Sequence, residues 1–98
     1  MKTIAIFGGS NETTYKKVAN KNGAEILFHC GKSRNGGNEK VFSTIIKKVD
    51  CVIMLTDALG HVSMDKVKEV AKREGKPFKA IKGLGASKAI REGLLLAC

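Results

Sequence analysis

Four short apolar runs alternate along the chain with four segments whose apolar residues recur every three or four positions. Short runs bounded by glycine or polar residues read as strands, and the longer period reads as amphipathic helix. The most apolar run is Cys51 to Thr56, β-branched at Val52, Ile53 and Thr56. It is too short for a core helix and predicts a strand buried on both faces. Asp57, a small loop and Gly60 follow, with His61 just ahead of a helix expected over 63–73. Met64, Val67, Val70 and Ala71 supply that helix's inward stripe, and Gly75 and Pro77 end it.

The remaining units follow the same plan. Thr3-Ile4-Ala5-Ile6-Phe7 predicts a first strand, closed by Gly8-Gly9-Ser10. Ser10 or Asn11 caps the next helix, Glu12 sits near its positive dipole end, and Tyr15, Val18 and Ala19 face inward. Asn22-Gly23 stop it, and Glu25-Ile26-Leu27-Phe28-His29 predicts the second strand. Residues 32–38 are polar and glycine-rich, a loop; Val41, Phe42, Ile45, Ile46 and Val49 then recur at helical spacing. Phe78-Lys79-Ala80-Ile81 reads as a weaker fourth strand, and Gly83-Leu84-Gly85 turns the chain. Ser87 is the expected cap of a last helix through Leu96, carrying Ala89, Ile90, Leu94, Leu95 and Leu96.

Strand alternating with helix four times predicts an α/β fold: a single Rossmann-like, three-layer domain over residues 1–98. Its four-stranded parallel sheet has the expected order 2-1-3-4, with helices on both faces. The order reverses between strands 1 and 3, and ligands in such sheets are met there, where strands end and helices begin. Leu94-Leu95-Leu96 is too apolar all round for one buried stripe. Either the last helix is wholly covered or it meets a second copy, and a homodimer is the preferred expectation.

Composition narrows the function classes. No apolar run approaches the roughly 20 residues that cross a bilayer, and residues 1–10 show no cleavage-site pattern, so the expected location is the cytoplasm, away from membranes. Cys30, Cys51 and Cys98 form neither a zinc-type pair nor a disulfide framework and are expected as free thiols. The formal net charge of +9 favours anionic partners: nucleic acid, phosphorylated small molecules or a carboxylate-bearing cofactor. A lysine-rich, solubilising surface accounts for the same charge.

Several phosphate-handling patterns fail on inspection. Gly31-Lys32-Ser33 ends like a P-loop, but Ile26 stands where the first glycine belongs. Arg34 falls too close to Cys30 for a phosphatase loop, and Lys88 replaces the third glycine after Gly83-x-Gly85. Asp57 would suit a phospho-accepting receiver domain, yet Gly8-Gly9-Ser10 occupies the place of its acidic pair. Gly8-Gly9-Ser10 itself either lets backbone approach a ligand near a helix start or makes a tight turn.

The two histidines, His29 and His61, carry the main signal. Each falls where a strand has just ended, and with order 2-1-3 their strands flank strand 1, roughly 10 Å apart. Two imidazoles at that separation can share a metal, or one can bind it while the other attends the bound ligand. Asp57 can orient His61, and Cys30 is a soft ligand beside His29. Each histidine alone would read as a polar loop residue; both at one sheet edge read as a site.

These residues resemble a small bacterial family of unknown function with a Rossmann-like β/α unit. The resemblance rests on Ile6-Phe7-Gly8-Gly9, Tyr15, His29, Asp50, Thr56-Asp57, His61 in its D-x-x-x-H segment, Ala71-Lys72 and Gly75-Lys76-Pro77. It covers the chain through about Pro77 and implies the fold and family histidines at His29 and His61. Gly60 stands where the family carries serine, so no hydroxyl role transfers there. Haem binding is an expectation for the family, with no settled reaction.

The leading expectation is a non-enzymatic cofactor-binding protein, a haem-based gas or redox sensor or carrier. Its cofactor-binding set is Gly8, Gly9, Ser10, His29, Cys30, Lys32, Arg34, Thr56, Asp57, Leu59, His61 and Met64, with His29 and His61 as metal ligands. Lys32 and Arg34 would meet the haem propionates, and Leu59 and Met64 would supply apolar surface. A nucleic-acid or nucleotide-binding module, using the loop at 32–38 to track phosphates, is the alternative. An enzyme acting on a phosphorylated metabolite, with either histidine as general base, is the third reading.

Overall fold

The computed structural model describes residues 2–8, 12–29, 39–56, 61–82 and 85–97, without the side chains of Glu39, His61, Val62 and Ser63. Eight elements alternate strictly: β1 (Lys2–Phe7), α1 (Glu12–Lys21), β2 (Ala24–His29), α2 (Glu39–Lys47), β3 (Cys51–Leu55), α3 (His61–Arg73), β4 (Phe78–Ile81) and α4 (Ala86–Ala97). The four strands pair in parallel in the order β2-β1-β3-β4, as the alternation predicts.

Period-two alternation divides the core into two layers. Ile4 and Ile6 of β1, with Ile26, Ile53 and Leu55, face α1 and α4, where Tyr15, Ala19, Ala89 and Ile90 cover them. Ala5 and Phe7, with Val52 and Met54, face α2 and α3, where Phe42, Ile46, Val67, Val70 and Ala71 close the second layer. All five residues of β3 are buried, as a central parallel strand requires. β4, an edge strand, exposes Lys79 and Ala80.

Side chains fix several joints. Asp50 and Thr3 bond reciprocally: the Asp50 carboxylate accepts from the Thr3 N–H at 2.8 Å, and the Asp50 N–H donates to the Thr3 carbonyl at 2.8 Å. Asp50 thereby sets the register in which β3 enters beside β1. Gly75 closes α3 with φ 69, a left-handed conformation that few other residues adopt.

Four details depart from the sequence-based expectations. α3 begins at His61 instead of Ser63, because nothing between Gly60 and Gly75 interrupts a helix. α4 begins at Ala86, and the Gly85 carbonyl accepts from the Ala89 N–H at 3.0 Å; Ser87 therefore lies inside the first turn and does not cap it. Val41 is 37% exposed, since Phe42 and Ile46 already fill the α2 contact. Thr56 lies just beyond β3.

Within one chain α4 is not wholly covered. Gly93 is buried, Leu94 and Leu96 are half-buried, and Leu95 is 65% exposed. No helix among the described residues is long and apolar enough to cross a membrane.

Cys51 is a free, buried thiol whose Sγ donates to the Gly93 carbonyl at 3.0 Å. Burial, assisted by the Asp50 charge, pushes it up to about 11. Thiolate is the nucleophile, so native Cys51 should resist iodoacetamide at neutral pH and react only once the chain unfolds. Peptide mapping before and after denaturation checks this; rapid native labelling of Cys51 would contradict its packing beneath α4.

Candidate functional site

The carboxyl ends of β2, β1 and β3 lie side by side. Phe7 pairs with His29 on one flank and with Met54 on the other, so strand spacing sets His29 and Met54 roughly 10 Å apart. Gly8 continues β1 by one residue; its N–H donates to the His29 carbonyl at 2.9 Å. Gly8 is buried with φ 108, a conformation that a side chain would strain. The backbone of His29 is thus held by the residue where β1 hands over to its helix.

The His29 ring packs on the α2–α3 face of the sheet. It meets Phe42 edge-on at 5.2 Å between centroids and lies tilted against Phe7 at 5.9 Å. Phe7 and Phe42 are themselves edge-on at 5.3 Å. This half-buried setting holds the His29 imidazole below its ordinary pKa through desolvation. At neutral pH the ring is therefore neutral, with a lone pair on one nitrogen.

His61 is the first residue of α3, and α3 covers the same face of the sheet as α2. Both histidines consequently belong to one edge and one face, on either side of β1. Met64, one turn into α3, is half-buried against the cluster that contains Phe7 and Phe42. The first turn of α3 also presents backbone N–H groups that suit an anion.

Thr56 is directed elsewhere. Its N–H donates to the Ile81 carbonyl at 2.9 Å and its hydroxyl to the same oxygen at 3.3 Å. It ties β3 to β4, on the far side from β1. Gly9, Ser10, Cys30, Lys32, Arg34, Asp57 and Leu59 lie outside the described residues. Among the described residues no group of three histidine, cysteine, aspartate or glutamate side chains able to hold a metal comes together.

The sequence reading missed Phe7 and Phe42 as the walls around His29. Phe7 precedes Gly8-Gly9, and the strand order already places it beside His29; that signal was available. Phe42 comes from a helix and joins them only through packing.

The fold is a doubly wound α/β domain with one histidine ending β2, beside β1, and a second opening α3, the helix that follows β3. Residues 3–95 match the family described as "Uncharacterized protein conserved in bacteria (DUF2325)", and the chain belongs to it. It is 42% identical over 94 residues to a UPF0751 protein of Bacillus anthracis, covering 96% of this chain and 94% of the relative. A UPF0751 protein of Bacillus cereus is likewise 42% identical over 94 residues, covering 96% of this chain and 94% of the relative. One from Desulfitobacterium hafniense is 36% identical over 92 residues, with 91% and 89% covered. No solved structure matches the chain.

Proposed function

We propose that this protein binds a cofactor without transforming it, holding haem at the C-terminal edge of the sheet with His29 and His61. The observation that carries the reading is the His29 ring, packed against Phe7 and Phe42 on the face where α3 opens with His61. Neutral imidazole is the form that ligates iron, and burial already keeps His29 in it. Two imidazoles suit a haem because the porphyrin supplies the other four nitrogens. Phe7, Phe42 and Met64 offer the apolar side of such a pocket. Bound haem would supply gas binding or one-electron transfer. The chain's own part is to hold the two imidazoles in position and to shield one side of the site from water.

Titrating haemin into purified protein while following the Soret band tests this. A saturable, shifted band is expected, and His29→Ala and His61→Ala should each weaken binding at least about tenfold, the effect of losing one well-placed ligand contact. A band that neither substitution changes, or no band, would sink the proposal.

A further inference from the structure

Lys40, Ser43, Thr44 and Lys47 share one face of α2 at helical spacing, and with Arg73 from the last turn of α3 they line an open cleft of about 520 Å³. Among the described residues the lining holds three cations and two hydroxyls and no carboxylate. Lys40 and Lys47 stand seven residues apart, roughly 10 Å along a helix axis. Successive phosphates of one strand lie roughly 6–7 Å apart in space, so that row reaches about two of them, and Arg73 supplies a third cation to the cleft. From this geometry we propose that the α2–α3 cleft binds the phosphodiester backbone of a nucleic-acid duplex.

The chemistry of the cleft matches phosphate more closely than it matches bases or lipid. Lysine, arginine and serine or threonine are the usual partners of phosphate oxygens. The Thr44 hydroxyl donates to the Lys40 carbonyl at 2.9 Å, so Ser43 is the hydroxyl left to donate outward. Arg73 Nε approaches Glu74 at 3.9 Å; a guanidinium carries five N–H donors, so it can pair within the chain and still offer charge to a phosphate.

Single strands are gripped by stacking on exposed aromatic rings, and none of the chain's phenylalanine or tyrosine rings is exposed. Tyr15, Phe7 and Phe42 are buried, while Phe28 and Phe78 are half-buried. A membrane surface would need several apolar side chains beside the cations; among the described residues the exposed large ones are Leu95, on α4 at the opposite face of the sheet, and Val41 alone on α2, about 100° around the helix from Lys40. The cleft shares no residue with the histidine site, so either reading can fail alone.

The test is fluorescence anisotropy of a labelled mixed-sequence DNA duplex, with an RNA duplex as a second arm, at about 50 and 200 mM KCl. With three phosphates neutralised, the slope of log K against log salt should be close to about −3. Lys40→Ala/Lys47→Ala should reduce that slope by about two and weaken binding at the lower salt about tenfold or more. Lys82→Ala/Lys88→Ala removes the same charge from the recess between β4 and α4 and should leave affinity within about twofold if contacts are local. Thermal melts confirm that both variants fold, and the duplex bound more tightly identifies the source of the phosphates. Absence of duplex binding, equal weakening by the two double variants, or an effect confined to phosphatidylserine vesicles would overturn the proposal.

Discussion

Phe42→Ala should destabilise the chain by about 3–5 kcal/mol, the cost of emptying an aromatic site in a close-packed core. Phe42 is fully buried and is the largest side chain that α2, nine residues long, sends into the core. Its ring touches both Phe7 and His29 edge-on, so truncation removes two ring contacts as well as apolar area. Domains of this size hold only about 5–15 kcal/mol in all, and each kcal/mol shifts Tm by roughly 4–8 °C. A fall in Tm of roughly 12 °C or more, about three to five such steps, is therefore expected by calorimetry.

The same substitution has a second readout. Burial lowers the His29 pKa in the folded chain, so on acidification the unfolded chain takes up that proton first. Between the lowered folded value and the ordinary one of about 6.5, stability accordingly rises with pH and is lost as pH falls. Phe42→Ala admits water to the ring, which should raise the His29 pKa toward its ordinary value and flatten that dependence. Imidazole NMR titration measures this directly. An unmoved titration with a loss below about 1 kcal/mol would mean that Phe42 does not wall in His29.

Gly93→Ala is the second large effect, and its sign is the informative part. In an exposed helix interior, alanine is more favourable than glycine by about 1 kcal/mol. At Gly93 the added Cβ would lie 2.8 Å from Ile4 Cδ1, 2.9 Å from Cγ2 and 3.2 Å from Cγ1. Ile4 is fully buried in the central layer, and its branched Cβ leaves it few alternative rotamers. α4 must therefore move off the sheet, at an overpacking cost of about 1–3 kcal/mol. That movement also draws the Gly93 carbonyl away from the Cys51 thiol, now 3.0 Å away.

A double-mutant cycle isolates the cause. Ile4→Ala removes all three opposing atoms, so the pair Ile4→Ala/Gly93→Ala should be less unstable than the sum by about 1 kcal/mol or more. Strict additivity, or a stabilising Gly93→Ala, would show that close approach is not why glycine stands there.

Much of this architecture is legible in the chain. Continuous apolar runs at β1 and β3 can be buried only between two layers, and strict alternation with helices forces parallel pairing. Right-handed crossovers with helices on both faces are compatible with the favoured order 2-1-3-4, and the sheet has that order. Asp57, Cys30 and the loop at 32–38 lie outside the described residues. Helix starts at His61 and Ala86 escaped the reading because capping is worth only about 1 kcal/mol and is easily overridden by packing.

Local sequence carries periodicity, and periodicity specifies strands, helices and the two core faces, including the placement of both histidines at one edge. It says nothing of neighbours brought from elsewhere in the chain. The Phe7–His29–Phe42 cluster draws on β1, β2 and α2, and the cationic cleft joins α2 to the far end of α3. Alone, Lys40 and Lys47 are ordinary residues of a solvated helix face; docking α3 beside them adds Arg73 and turns that face into a cleft. Those environments arise from long-range packing, whose energy depends on distances that no local pattern encodes.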